Sequence, residues 1–543
     1  MKRLWITSLC GVCALALWGC GKSSAPGPTA AETKKSGPRE QILQFGNGAE
    51  PQDLDPQIVT GVPEFHILCA LLEGLVGQDS IDLHPVPAAA ESWDISNDHL
   101  TYTFHLRANG KWSNGDPVTA QDFVKSYQRI LTPTLLSEYS YMMFMVKGAE
   151  EFNQGKLKNF AETGFKAIDD HTLKIELKAP TPYFLSLLAH HSWYPVHMAT
   201  VEKYGKVYER GNTWTKPEHY VGNGPFVLAS WQPNQMITLK KSPTYWDAAV
   251  VKLQEIHFHP IENEDSEERA FRTGTLDVTE AVPLSKIDVY KKEHPELLRI
   301  VDYLGTYMYR VNVTKPGLNN KKVRQALALS IDRQAITDRI LRANQKPAYS
   351  LVPHIAGVYT NSPQFSYDPE KARKLLAEAG YPGGKGCPSI EILFNTMDAH
   401  KLIAEAIQQM WKKELGIDAQ LQNQEWKVYL DSQRQMNYQV ARFAWIGDYI
   451  DPNSFTDLWL TGGGNNETGW SNAEYDGLIT TASKEADPAK RMELFHKAET
   501  LLMEEMPIIP IYFYTRNHLI QPYLKGFEPN ILDIHPWKNV YLE

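Results

Sequence analysis

The feature that most constrains this chain is the way its hydrophobic period keeps switching between that of a strand and that of a helix. Tyr102-Thr103-Phe104-His105-Leu106 alternates with period two and is rich in β-branched and aromatic side chains, the pattern of a half-buried strand. Asn109-Gly110 and Asn114-Gly115 mark turns on either side of Lys111-Trp112-Ser113. A helix then starts at Thr119: its hydroxyl suits a cap, Asp122 sits three residues on, and Phe123, Tyr127 and Ile130 share a face. Residues 165–168 and 173–177 read as a strand pair turned by Asp169-Asp170-His171. Residues 321–341 and 369–379 read as amphipathic helices, the second stopped by Tyr381-Pro382-Gly383-Gly384. Residues 390–394 and 419–421 read as strands, 401–415 as a helix between them, and Val428 as the start of another helix. Helices between strands imply βαβ units with mixed or parallel sheets, so the fold class is α/β.

The N-terminus addresses the compartment. Lys2 and Arg3 form a basic start, and residues 4–18 are mostly apolar but short of the ~20 residues that span a bilayer. Residues 1–19 therefore read as a cleavable signal peptide. Leu17-Trp18-Gly19-Cys20 resembles the lipobox of bacterial lipoproteins, where Cys20 would be lipidated; Trp18 is bulkier than usual there, and a plain secretory signal is the other reading. Residues 20–40 are rich in Pro, Gly, Ser and Ala without apolar periodicity and suit a flexible tether. The formal net charge of −9, without basic blocks, argues against nucleic acid as a partner. Past Cys20 only Cys69 and Cys387 remain, so no disulfide framework is expected, and Cys69 reads as a buried free thiol.

Catalytic signatures are missing: there is no G-x-S-x-G, H-E-x-x-H, C-x-x-C or P-loop. The stretch from Gly380 to Lys385 has the wrong spacing for phosphate, and Gly386 stands where Ser or Thr is needed. His257 with His259, and His190 with His191, lack carboxylates or thiols at ligand spacing and read as structural. No metal, cofactor or enzymatic activity is expected.

Residues 90–129 carry the most information. Ala90-Glu91-Ser92-Trp93, the Tyr102 to Arg107 strand and the Lys111 to Phe123 run closely resemble the signature of the large bacterial solute-binding family (family 5) that serves peptide, nickel and sugar ABC importers. Similar stretches are Leu54-Asp55-Pro56, Asn223-Gly224-Pro225-Phe226, Ser242-Pro243-Thr244-Tyr245-Trp246 and Val323-Arg324-Gln325-Ala326-Leu327. Asn423-Gln424-Glu425-Trp426 and residues 440–455 narrow the resemblance to oligopeptide-binding members. The resemblance implies a periplasmic-binding-protein-like fold, class II of the cluster C type, with two lobes, a hinge and an extra inserted domain. Domain I would comprise residues 41–72, 198–300 and 516–543, domain II 73–197 and domain III 301–515.

It also implies a site. A binder of many peptides must hold their backbone, α-ammonium and α-carboxylate. Strand edges at Thr60-Gly61-Val62 and Ala444-Trp445-Ile446 would pair with the peptide backbone. Asp448 would take the α-ammonium, and Arg442 and His400 would serve as cations for the carboxylate. Trp426, Trp445 and Tyr139 would wall the side-chain pockets, with Tyr512, Tyr514, Asn465 and Asn466 also nearby. Thr60 and Ile446 depart from relatives that carry an acid and a Cys, and losing the acid would weaken preference for basic peptides. The expected protein is a monomer in the periplasm or on the cell surface, membrane-held through its lipid, passing short peptides to the permease subunits of an ABC importer. The alternatives are a specialised binder of dipeptides or cell-wall peptides, or a peptide sensor or chaperone without transport.

Overall fold

The strand at Tyr102 runs Thr101–Leu106 and lies between Ala90–Ile95 and Thr172–Glu176 in a four-stranded antiparallel sheet completed by Phe165–Ala167. The following helix, Ala120–Leu131, begins where the cap was expected: the Thr119 amide donates to the Asp122 carboxylate at 2.8 Å, and the Trp112 indole donates to the same oxygen at 3.3 Å. Phe123, Tyr127 and Ile130 are fully buried. The computed structural model describes residues 39–360 and 362–543, and residues 40–543 form one compact unit. The signal segment, Cys20 and nearly all of the tether lie outside the described residues.

The motif residues turn out to be joints between elements. Arg129, with no exposed surface, donates to both carboxylate oxygens of Asp55 at 2.6 and 3.0 Å, and the Trp214 indole donates to Asp55 at 3.2 Å. Removing one member of such a buried pair typically costs ~3–5 kcal/mol, because the other charge is left uncompensated. Glu73 does similar work for a later stretch. Its carboxylate accepts from Tyr245 at 2.6 Å and Trp246 at 2.7 Å, while Asn223 bonds the Glu73 backbone amide and carbonyl, each at 2.9 Å. Gly224 packs so closely on this segment that a Cβ there would stand 2.6 Å from the Leu71 carbonyl carbon.

Two further large sheets, beside two two-stranded ones, make up the frame. In the first, Ile42–Gly46 pairs in parallel with Glu255–His259, followed by antiparallel Met236–Lys241 and Phe226–Gln232. His257 and His259 both bond Gln44 across this parallel pair and brace it. The second has six strands in the order Lys346–Pro347, Ile508–Leu519, Leu298–Val311, Val440–Ile446, Ile390–Asn395 and Ala419–Gln424. Its last three strands are parallel and joined by the helices Asp398–Leu415 and Trp426–Arg434, the expected βαβ units.

Four local readings are corrected. The helix expected over 321–341 is interrupted: Lys321–Leu329 ends at Ser330, and Asp332 caps a new turn by accepting the Ala335 amide at 3.0 Å. A local side-chain bond has won against the continuous apolar pattern. Helix Asp398–Leu415 starts three residues before Lys401, and Trp426–Arg434 starts two before Val428, capped by Glu425. Residues 60–62 form no strand: Val62 opens helix Val62–Leu71, with Gly61 extended before it and Pro63 in its first turn. Cys69 and Cys387 are free thiols, and burial pushes Cys69 up to about 12. Among the described residues no helix is long and apolar enough to cross a membrane.

Candidate functional site

Strand Val440–Ile446 carries the site. On one side it pairs along its whole length with Leu298–Val311, from Val311↔Val440 to Gly305↔Ile446. On the other it pairs with Ile390–Asn395 only at Val440 and Ala441. Residues 442–446 therefore present a strand edge without a second partner strand, and this edge borders a cavity. The cavity leaves about 340 Å³ for the centres of water-sized molecules. Its opposite walls come from the start of helix Val62–Leu71, the segment around Tyr139, and His190.

Of the fifteen residues singled out for the site, fourteen line this cavity: Thr60, Gly61, Val62, Tyr139, His400, Trp426, Arg442, Ala444, Trp445, Ile446, Asp448, Asn465, Tyr512 and Tyr514. Asn466 does not; its amide nitrogen bonds the carbonyls of Trp459, Leu460 and Trp470 and ties a loop together. Gly61 leaves no room for a side chain, since a Cβ there would lie 2.0 Å from a Glu64 carboxylate oxygen and 3.3 Å from the Trp426 ring.

Asp448 follows the strand edge. Its amide donates to Ser454 Oγ at 2.7 Å, and its Oδ1 lies 3.5 Å from the Tyr139 hydroxyl and 3.2 Å from His190 Nε2. The His190 tautomer follows from its other nitrogen. The Ser192 amide donates to Nδ1 at 3.3 Å, so the proton sits on Nε2 and points at Asp448. Burial pushes His190 down to about 3, so it donates as a neutral ring and brings no positive charge. Burial likewise pushes the Asp448 carboxyl well above its ordinary range, and Oδ2 has no hydrogen-bond partner. This is a buried acid with no cation among the described residues.

At the other end of the edge Arg442 is the mirror case. Its guanidinium donates to the Tyr514 hydroxyl at 2.8 Å and to Asn395 Oδ1 at 3.4 Å, and lies 5.0 Å from the centre of the Tyr307 ring. Its Nε has no partner, and no carboxylate among the described residues pairs with it. His400 stands beside it but is not a second cation: burial, and then Arg442, hold its imidazole well below its ordinary value. It is corrected to a neutral ring, with Nδ1 buried and unpartnered. Trp426 and Trp445 also have indole N–H groups without partners.

Several lining residues had no sequence signal. His190 was read as structural, yet it reaches Asp448 from 258 positions away in sequence. Arg434 bridges Glu138 at 2.7 Å and Gln52 at 3.0 Å across the cavity. Glu262, Glu264 and Glu267 add acid to the wall. Burial raises Glu264 and Glu267 to about 8, and neither has an ion-pair partner among the described residues.

The sequence pattern of the bacterial extracellular solute-binding proteins, family 5, matches residues 84–467. The chain belongs to this family. Among curated members it is 39% identical over 513 residues to the periplasmic oligopeptide-binding protein OppA of Escherichia coli K12, covering 93% of each chain. The family's class II periplasmic-binding-protein fold is matched in solved structures. The murein tripeptide binding protein MppA of Escherichia coli superposes with a TM-score of 0.88 at 37% identity, covering 93% of this chain and 98% of that one. The unliganded open form of MppA gives 0.63 at 38% identity, covering 93% and 97%. Haemophilus influenzae OppA in complex with the peptide RPPGFSPFR gives 0.87 at 37% identity, covering 93% and 99%. This family 5 chain thus shares its arrangement more closely with the first MppA structure than with the open form.

Proposed function

We propose that this protein is an extracytoplasmic substrate-binding protein that captures short peptides in the cavity beside residues 442–446 and delivers them to an ABC importer. The observation that carries the reading is a buried, unpaired acid and a buried, unpaired base at opposite ends of one free strand edge. A peptide supplies the missing complement to each: an ammonium for Asp448, a carboxylate for Arg442, and main-chain donors and acceptors for the edge between them. Both named structural relatives, MppA and OppA, are described as peptide binders, which supports the same ligand class.

The spacing bounds the ligand. Arg442 and Asp448 are six positions apart, at most ~20 Å of extended chain, and both line the cavity. Peptides of three to five residues fit that span. Their N-terminus at Asp448 and C-terminus near Arg442 set the peptide antiparallel to the strand. Lobes made of residues 41–72, 198–300 and 516–543, of 73–197 and of 301–515 would close on the peptide. Strands Leu298–Val311 and Ile508–Leu519 would be the hinge, since both cross the proposed boundaries and pair with register shifts. Export through residues 1–19 and anchoring through Cys20 complete the proposal.

Tri- to pentapeptides are expected to raise the melting temperature, and their N-acetylated forms to do so much less. Equal stabilisation by both forms would remove Asp448 from its role. Mass spectrometry of peptides that co-purify with the protein reports length and sequence preference, and separates a general oligopeptide binder from one restricted to dipeptides or cell-wall peptides. Release of a Cys20→Ser variant from the membrane fraction checks the anchor.

A further inference from the structure

Asp448 is not the only acid in its surroundings. The chain after it folds back through the helical turn Asn453–Thr456 into Asp457. Ser454, whose hydroxyl accepts the Asp448 amide at 2.7 Å, lies three residues before Asp457, and residues at that spacing share one side of a helical turn. Asp457 Oδ2 accepts from Asn453 Nδ2 at 3.0 Å and from the Tyr449 hydroxyl at 3.4 Å, while its Oδ1 is buried without a partner. Asp448 Oδ2 is in the same condition.

The cations nearby are already committed. Arg491 is spent on Asp451, donating to its two oxygens at 2.7 and 2.8 Å. Glu138, the other acid facing Tyr139, is held by Arg434. His190 is neutral and already faces Asp448. The remaining groups facing the two acids are the hydroxyls of Tyr139, Tyr141, Tyr183, Tyr449 and Tyr475, all pushed up by burial and so uncharged. Two carboxyls therefore share one dry region with no positive charge among the described residues. Burial, and then Asp448, raise Asp457 well above its ordinary range.

We propose that Asp457 is a positioning residue for the ammonium site, a second carboxyl behind Asp448 whose field favours an unblocked, charged peptide amine over a neutral one. This rests on the reading that Asp448 receives the α-ammonium. The two acids are tied through one turn, Ser454 accepting the Asp448 amide and Tyr449, the next residue, donating to Asp457; buried carboxyls that interact retain a proton to higher pH than either would alone. When the ammonium arrives, that proton leaves to the buffer and no covalent bond changes. Asp457 does not touch the ligand; it sets how readily Asp448 gives up the proton and how strongly the amine is held.

The test is titration calorimetry with trialanine and N-acetyl-trialanine at pH 6 and pH 8, for wild type, Asp448→Asn and Asp457→Asn. Asn keeps an oxygen for Asn453 and Tyr449. The readout is the affinity ratio of free to acetylated peptide within each variant, which a partly unfolded sample does not distort. Asp457→Asn is expected to lower that ratio at least fivefold and to flatten its change between the two pH values. An Asp457→Asn ratio and pH profile equal to wild type would overturn the inference while leaving the ammonium reading intact, provided Asp448→Asn abolishes the ratio. If Asp448→Asn itself keeps the ratio, the ammonium reading fails and the inference with it.

Discussion

Asp448 and Arg442 share the condition of being ionisable side chains without a partner of opposite sign, each with a buried polar atom left unbonded, which a fold tolerates only when something else rewards it. A charge-assisted bond in such a site is worth ~1.5–3 kcal/mol. Asp448→Ala should therefore weaken trialanine binding by about 10- to 150-fold. It should leave the melting temperature of the free protein unchanged or higher, because an unpaired buried acid is removed; a large fall would make Asp448 structural. Arg442→Gln should act on the other end, weakening peptides with a free carboxylate and sparing C-terminal amides. At this scale the sequence was half legible. The identity of Asp448 could be carried over from a similar motif, but the neutrality of His190 and His400 could not. That depends on burial, which puts one ring against Asp448 and the other beside Arg442.

Elements were legible where local chemistry and tertiary context agree. Thr119 with Asp122 announces a helix start, and the structure places it there. Residues 60–62 were misread as an edge although Pro63 and Glu64 signal a first helical turn, since Pro at the start and an acid near the N-terminus both favour one. A strand edge at 444–446 was anticipated, but its extent back to Arg442 and its freedom were not, because those depend on strand Ile390–Asn395 pairing only as far as Ala441. If peptide backbone pairs with this edge, methylating the amide nitrogens of a tripeptide one at a time should weaken binding wherever an N–H is used. The loss should be about fivefold per bond, the equivalent of ~1 kcal/mol. Titration of the methylated series reads this directly, and uniform affinity across it would leave the edge without a role. Gly305→Val should act on the same element from behind. A Cβ at Gly305, which pairs with Ile446, would stand 3.0 Å from the Trp445 carbonyl oxygen and 2.4 Å from Ile446 Cδ1, so peptide affinity should fall.

For the whole molecule, buried titratable groups make stability and ligand binding respond to pH in opposite directions. Burial pushes Glu64 and Glu499 up to about 7 and Glu264 and Glu267 up to about 8, from an ordinary 4.5. Each stabilises the fold fully below 4.5 and loses that contribution as pH rises through its raised value. The buried histidines run the other way: His66 and His259 at about 4 and His190 at about 3 contribute fully above 6.5 and lose it as pH falls towards those values. Between pH 6.5 and 8.5 the acids dominate, so the free protein should lose stability, at up to ~1.4 kcal/mol per pH unit for each acid that still holds its proton in the fold. Peptide binding should respond oppositely over the lower part of this window. Asp448 must shed its proton to hold an ammonium, so the stabilisation that trialanine adds should grow as pH rises, until the peptide amine itself loses charge near ~8. Thermal melts of free and peptide-loaded protein across pH 5.5 to 9 would show a falling free curve from 6.5 upward and a gap between the curves that widens and then narrows. A gap that narrows steadily from pH 5.5 would mean that the ligand meets Asp448 as a neutral acid, and the site would then be selecting a hydrogen-bond acceptor in place of a charged amine.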